Sequence, residues 1–354
     1  MRSFAATVSA LEAAHIPVKT VTDAGALALT TNGARLIALS LGEAGENLLY
    51  THPRLAESDL VCNHPEELPA GIGGDRLWFS PEVRYHWRGT PDWVNFSNNC
   101  VPAESDPGTY AFIDAGPSAL GVAAQIALPT TDDSPLLPIE VSRFVGFADP
   151  PLSRDHSLMR GVDCVGVCSD WRLELDKTAR VGRVALWHIL QAQIGARAVV
   201  PITRGEECAL TLYSPKSGGW AIHRDHVAWR FGGTANAKFG LSVRNVTGRA
   251  GFIRKLSDGR ACLIVRKFPV RREAAYGDHP YGVERDDQVL QLWDGFGFGE
   301  LEYHSRVLDA ERGPRMLAES DTIWAFAGES GAIAALGGEL LGVDLYPYVK
   351  DIGA

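Results

Sequence analysis

Cysteine is scarce and scattered. The six in 354 residues, Cys62, Cys100, Cys164, Cys168, Cys208 and Cys262, stand singly except for one pair spaced C-x3-C. No spacing matches a zinc ribbon, and a chain of this length does not need disulfide staples. Most of the thiols are therefore expected to sit buried in a reducing cytoplasm. A basic surplus is missing too. The net charge of -9 argues against a nucleic-acid or anionic-membrane partner, since both need a basic surface. No uninterrupted apolar run reaches membrane-spanning length, and Met1–Ala6 lacks the apolar stretch and cleavage site of a signal peptide. Repeats of fixed period and low-complexity linkers are absent. So is any alternation of strands with long amphipathic helices, which argues against a doubly wound α/β fold. With 45% hydrophobic and 22% charged residues, the composition is that of a soluble globular protein.

What is present is punctuation. Thirty-seven glycines and 20 prolines separate short apolar runs rich in Val, Ile, Thr, Phe and Trp, the pattern of many antiparallel strands in a sandwich or barrel. The reading is a single all-β domain over residues 1–354, opened by a short helix within residues 1–16, where Phe4, Val8, Leu11 and Ala14 fall at helical spacing. Val18–Thr22 reads as a strand. Ala26–Thr31 and Ala34–Leu41 flank an Asn32-Gly33 turn, a strong hairpin signal. Ile139–Val145, Ser169–Leu175 and Val181–Leu190 read as further strands, and Asp258-Gly259 marks a second hairpin.

The stretch Gly299–Ser305 carries the most chemistry. As a strand it turns Glu300, Glu302 and His304 to one face and Leu301 and Tyr303 to the other. Two carboxylates and an imidazole on one face lie in water or line a cleft, because burying them without partners is costly. Groups this close shift one another's pKa, as acid/base sites require. In Gly71–Glu82, the charges Asp75, Arg76 and Glu82 are embedded beside Trp78 and Phe79. An arginine fork among aromatic rings suits a sugar hydroxyl or a carboxylate; an Asp-Arg ion pair on a strand is the structural alternative. Tyr85, His86, Trp87 and Trp93, followed by Asn95, Asn98 and Asn99, form an aromatic, amide-rich loop that suits a carbohydrate, or else contribute to the core. His188 shares a strand face with Val184, Leu186 and Leu190, and its ordinary pKa near neutrality suits proton transfer. Lys238, among apolar neighbours, is either a cleft cation or a solvated lysine. In the His223-Arg224-Asp225-His226 run, a strand would put His223 and Asp225 on one face and His226 on the other. No third ligand stands at convincing spacing, so no metal site is expected.

Several of these segments together resemble the aldose 1-epimerase (galactose mutarotase) superfamily. Asn32–Leu39 with Asn47-Leu48-Leu49 is similar to the family's first hairpin and its Asn-Leu-Leu strand. Gly73–Trp78 is similar to its Gly-rich, arginine-containing segment, and Leu301-Glu302 to the late strand that carries the catalytic base. Pro314–Asp321 resembles the loop and start of the final strand. The likeness is nearest to branches in which a Gly-Gly-x-Arg-x-Trp segment recurs with a Lys-x-Gly-Leu strand, here Lys238–Leu241. The resemblance implies a galactose mutarotase-like β-supersandwich of antiparallel sheets. It also implies an enzyme that interconverts sugar anomers by acid/base catalysis with no cofactor or metal. On this reading Glu302 is the base that takes the anomeric hydroxyl proton, and His188 is the candidate acid for the ring oxygen. Arg76 binds substrate, with Asp75, Trp78, Glu82, His86, Lys238, Glu300 and His304 around it. The ligand would be a small sugar or sugar acid. Two alternatives remain open. A non-catalytic sugar-binding or regulatory module would use the same aromatics and arginine. A lyase would use a base to abstract a proton beside the carboxylate of a sugar acid.

Overall fold

Short β-branched and apolar runs bounded by Gly, Asn and Asp make hairpins, and here they accumulate into two sheets. The computed structural model of the protein describes residues 2–56, 72–132, 134–203, 207–216 and 218–352. Among these, one 10-stranded antiparallel sheet runs in the order Val18–Thr22, Ala26–Thr30, Leu36–Ser40, Asp75–Ser80, Arg183–Gln193, Phe298–His304, Gln288–Gly295, Ala237–Ser242 and Thr211–Leu212. Its tenth strand, Leu308–Asp309, pairs with Arg183–Gln193 off this path. The second 10-stranded sheet runs Trp220–Ile222, His226–Arg230, Arg197–Pro201, Arg249–Lys255, Ala261–Lys267, Met316–Gly328, Val162–Leu175, Leu137–Phe147, Ala119–Leu128 and Ala111–Ile113. The sheets stack face to face. Leu77, Leu186 and Leu301 of the first share one core with Val122, Val141, Trp171 and Ile264 of the second. The expected antiparallel supersandwich is the architecture found.

Helices cover the outer faces. The N-terminal helix Phe4–Ala13 lays Phe4 and Leu11 over Ala26, Ala28, Ile37 and Ala38 on the outside of the first sheet. The Asn32-Gly33 turn is present but longer than two residues, with Gly33 at φ 66° and Ala34 at φ 51°. Gly73 and Gly74 are required by close approach: a Cβ on either would lie 2.5 Å from a backbone oxygen, of Tyr50 and Leu36 respectively. Helices Ser330–Leu341 and Tyr346–Lys350 close the outside of the second sheet, with Ile333, Leu336 and Leu340 against Leu263 and Phe326. These two helices were not foreseen from the sequence. Among the described residues, Cys100, Cys164, Cys168, Cys208 and Cys262 are all free; Cys62 and Gly71 lie outside them. No described helix is long and apolar enough to cross a membrane.

Candidate active site

Strand register decides which side chains meet. Across the centre of the first sheet, Arg76 pairs with Ile189, Ile189 with Glu302, Glu302 with Gln291, and Gln291 with Gly240. The adjacent row is Gln191, Glu300, Trp293 and Lys238, and on the other side lie Trp78, Trp187 and His304. All of these project from the outer face, away from the inter-sheet core. The alternation expected for Glu300, Glu302 and His304 is therefore realised. The face does not lie in water, because all seven residues of Phe298–His304 are buried. It is covered by the short helix Glu82–Tyr85, the loop that follows it, and the segment around Asp106.

Glu302 sits at the centre. Its Oε2 accepts from the Trp187 indole at 2.7 Å and lies 3.0 Å from Lys238 Nζ. Its Oε1 is buried with no hydrogen-bond partner among the described residues. Lys238 also donates to Glu82 Oε2 at 2.7 Å, and its ammonium lies 4.3 Å from the Trp187 ring centroid. Glu82 accepts from Trp87 Nε1 at 2.8 Å, and its backbone N–H donates to Asp278 at 2.6 Å. Beside this, Glu300 Oε1 accepts from Arg76 at 2.8 Å and from Gln191 at 2.9 Å. The Arg76 guanidinium lies 3.6 Å from the centroid of Trp78, whose indole donates to Asp106 at 2.7 Å. Arg35 holds the same Asp106 oxygen at 2.5 Å. His86 stacks on Trp78 at 4.7 Å, and its Nε2 meets the Phe79 carbonyl oxygen at 3.2 Å. His304 Nδ1 lies 3.1 Å from Ser80 Oγ.

Burial sets the electrostatics. It raises the Glu302 pKa; Lys238 opposes the rise, and Glu300 and Glu82 reinforce it. Burial alone would lower the Lys238 pKa, but Glu302 and Glu82 carry it above its ordinary value. His86 is pushed down to about 4 and His304 well below its usual range, both chiefly by burial. Both imidazoles are therefore neutral at pH 7. The face combines a buried carboxylate with one bare oxygen, a protonated amine beside it, and walls of Trp78, Trp187 and Trp293.

Two expected site residues are not brought to this face. His188 pairs with Tyr303 in register and points into the core. There it stacks on Tyr303 at 4.2 Å, lies 3.3 Å from Glu319, and is held neutral by burial and by Arg266 and Arg143. It cannot reach Glu302 through the sheet. Asp75 also points inward, accepting from Arg143 at 2.5 Å and Arg266 at 2.7 Å. Its role is to bind the sheets together. The amide-rich loop is likewise turned on itself. Asp92 accepts from the Val94 and Asn95 N–H groups and from Ser97 Oγ, while Asn98 donates to the Arg88 and Thr90 carbonyls. His223 and His226 close a tight turn (N···O 2.8 Å) with their rings stacked at 4.3 Å, not an extended strand. Among the described residues no three His, Cys, Asp or Glu side chains gather as metal ligands. Four residues not singled out from the sequence also touch this cluster: Trp187 bonds Glu302, Gln191 bonds Glu300, Asp106 accepts from Trp78, and the Tyr213 ring lies 5.4 Å from Lys238 Nζ. Trp187 alone had a usable signal, as an aromatic next to the histidine that was chosen. Two clefts of about 430 and 650 Å³ open elsewhere, one beside Arg154 and Cys164, the other beside Asp225 and Arg272.

No protein-family model and no curated protein matches the chain. Solved structures do. This chain is similar to galactose mutarotase-like proteins. One such protein from Lactobacillus casei aligns over 88% of this chain and 99% of its own, with a TM-score of 0.44 at 9% identity. A galactose 1-epimerase from Lactobacillus acidophilus aligns over 89% and 99%, with a TM-score of 0.44 at 11% identity. An aldose epimerase homologue from C. elegans aligns over 89% and 99%, with a TM-score of 0.45 at 9% identity.

Proposed function

We propose that the protein acts on a sugar, interconverting its anomers, with Glu302 as the base. The observation that carries this reading is the state of Glu302: buried, its pKa raised, one oxygen fixed by Trp187 and Lys238 and the other free. In this mechanism the Glu302 carboxylate takes the proton of the anomeric hydroxyl. The C1–O5 bond breaks, C1 becomes a carbonyl, and the ring oxygen receives a proton. Rotation about C1–C2 followed by the reverse transfers closes the ring as the other anomer. Lys238 is the acid. While Glu302 is ionised the pair stabilise each other's charges; once Glu302 takes a proton, Lys238 loses the anion that raises its pKa and releases its own proton more readily. His86 and His304, held neutral, shape and position instead.

Trp78, Trp187 and Trp293 suit the apolar face of a pyranose, while Gln191, Gln291 and Glu300 suit its hydroxyls. Arg76 and Lys238 already face Glu300, Glu302 and Glu82, which favours a neutral aldose over a sugar acid. NMR magnetisation exchange between anomers, measured across an aldose panel, tests the reading. Exchange faster than buffer for at least one sugar is expected. Rates equal to buffer for every sugar, or an unsaturated product absorbing in the ultraviolet, would overturn it.

A further inference from the structure

Glu302 and Lys238 are 0% and 2% exposed, so a sugar reaches the bare oxygen of Glu302 only when part of the cover moves. The three parts of that cover are held very differently. The helix Glu82–Tyr85 is fixed at both ends. Its Glu82 N–H donates to Asp278 at 2.6 Å, and its Arg84 carbonyl accepts from the Thr131 N–H at 2.9 Å. The Tyr85 hydroxyl donates to the Arg183 carbonyl at 2.7 Å. The segment around Asp106 is anchored by the charge-assisted bonds of Arg35 and Trp78 to that carboxylate.

The loop of residues 87–99 is held mainly by itself. Its ends are joined, with Trp87 bridged to Asn99 and the Cys100 N–H donating to the His86 carbonyl at 2.8 Å. Inside it, Asp92 and Asn98 gather the backbone. Trp87, Trp93 and Phe96 pack on one another, with centroids 5.0, 5.5 and 5.9 Å apart. Among the described residues, one hydrogen bond joins residues 87–99 to anything outside 86–100. It runs from the Trp87 indole to Glu82 Oε1 at 2.8 Å. The other holds are ring contacts: Phe96 meets Phe296 at 4.6 Å, and Trp87 and Trp93 share a buried cluster with Trp293 and Phe298. A compact loop with joined ends and its own packing can move as one body and keep its internal bonds.

Glu82 connects this loop to the chemistry. One of its oxygens takes the Trp87 indole; the other takes Lys238 at 2.7 Å, and Lys238 lies 3.0 Å from Glu302. With both oxygens engaged by the protein, Glu82 suits a tie better than a sugar ligand. We propose that residues 87–99 are a gate over the carboxylate face and that Glu82 is the positioning residue that closes it, holding Trp87 of the gate and the Lys238 acid on one carboxylate. The roles of acid and base rest on the sugar reading above; the gate does not. Shut, it keeps water from the Glu302–Lys238 pair; open, it gives a sugar a path to Glu302 Oε1.

Hydroxyl-radical footprinting, read by mass spectrometry at single tryptophans, tests the gate without any sugar. Trp293 packs with the rings of the gate, whereas Trp171 and Trp229 lie in the core between the sheets. Glu82→Gln keeps every ring in place but offers one acceptor oxygen to two donors. The ammonium takes it, and the amide NH2 then faces the indole N–H. Trp87→Phe breaks the same tie and leaves the charges alone. Oxidation of Trp293 is expected to rise at least about threefold in both variants, with Trp171 and Trp229 unchanged. Glu82 also raises the Glu302 pKa. Glu82→Gln should therefore move the ascending limb of the pH–rate profile to lower pH, and further than Trp87→Phe, which admits the same water but removes no charge. Unchanged Trp293 in both variants would overturn the gate. So would a rise in Trp87→Phe alone, which would trace to the space left by the smaller ring. A rise that includes Trp171 and Trp229 in both variants would mean general loosening and not a gate. Equal limbs in the two variants would overturn the positioning role of Glu82. If no aldose exchanges faster than in buffer with the wild type, the sugar reading falls, and the footprint still decides the gate.

Discussion

At Glu302 a single side chain holds two opposed demands. It must lose its proton to act as a base, and its burial makes that loss costly. The expected result of Glu302→Gln is loss of anomer exchange with folding and sugar affinity kept, because the amide fills the same space but takes no proton. Glu300→Gln should be milder, since Glu300 is tied to Arg76 and Gln191; equal loss in both would mean that the two titrate as a unit. Lys238→Met removes the cation that lowers the Glu302 pKa. The ascending limb of the pH–rate profile should then move to higher pH, and the rate at its plateau should fall by about 10²–10⁴-fold with loss of the acid. An unmoved limb would show that Lys238 does not set that titration. At this scale the sequence was legible to within one residue. Glu300, Glu302 and His304 follow from alternation inside one strand. His188 was assigned to the site where its neighbour Trp187 faces it, and Asp75 was assigned together with Arg76, of which only Arg76 faces it. Parity between strands depends on pairing register, and a one-residue slip exchanges the two faces.

Elements were more legible than their covers. Val18–Thr22 coincides with its expected range, the strands around Ile139 and Ser169 are present but longer, and the one around Val184 is shifted towards the C-terminus, to Arg183–Gln193. The expected N-terminal helix runs over Phe4–Ala13. The helix Ser330–Leu341 escaped because Gly331, Gly337 and Gly338 contradict helix propensity. Close packing overrides propensity at Gly337, where a Cβ would lie 2.2 Å from Leu345. The loop after Trp87 shows the opposite error, since its amides read as ligand donors but build the loop. Asp92 accepts several of its hydrogen bonds, and those contacts hold the Asp92 pKa down at about 2. Asp92→Ala is expected to speed amide exchange in residues 93–99 at least about tenfold while leaving exchange in the Phe298–His304 strand unchanged. Equal protection in both proteins would show that ring packing alone holds the loop.

Over the whole molecule, the two sheets are joined by a buried ionic layer that no single strand reveals. Asp75 of the first sheet binds Arg143 and Arg266 of the second, and Arg266 also binds Asp321 at 2.9 Å. Next to it lie His188 and Glu319. The Glu319 carboxyl is pushed up to about 8 by burial and by Asp321, against the pull of Arg271, Arg306 and Arg266. A carboxyl with a raised folded-state pKa binds its proton more tightly in the native state. Its contribution to stability is therefore complete below its unfolded pKa near 4.5 and is lost as pH rises through about 8. His86, His188 and His304 act in the other direction: all three are held low, so their effect is a loss of stability as pH falls below about 6.5. From about pH 7.5 to 8 the histidines are largely neutral in both states, and Glu319 is read against fewer competitors. Glu302, also raised, adds a slope of the same sign. Wild-type unfolding free energy in urea should thus fall across this window, with Glu319 supplying at most about 1.4 kcal/mol per pH unit. Glu319→Gln keeps the shape without the proton, so the variant should lose measurably less stability over the same window. Parallel wild-type and variant curves would mean that Glu319 is ionised in the native protein, with Arg271 and Arg306 outweighing its burial.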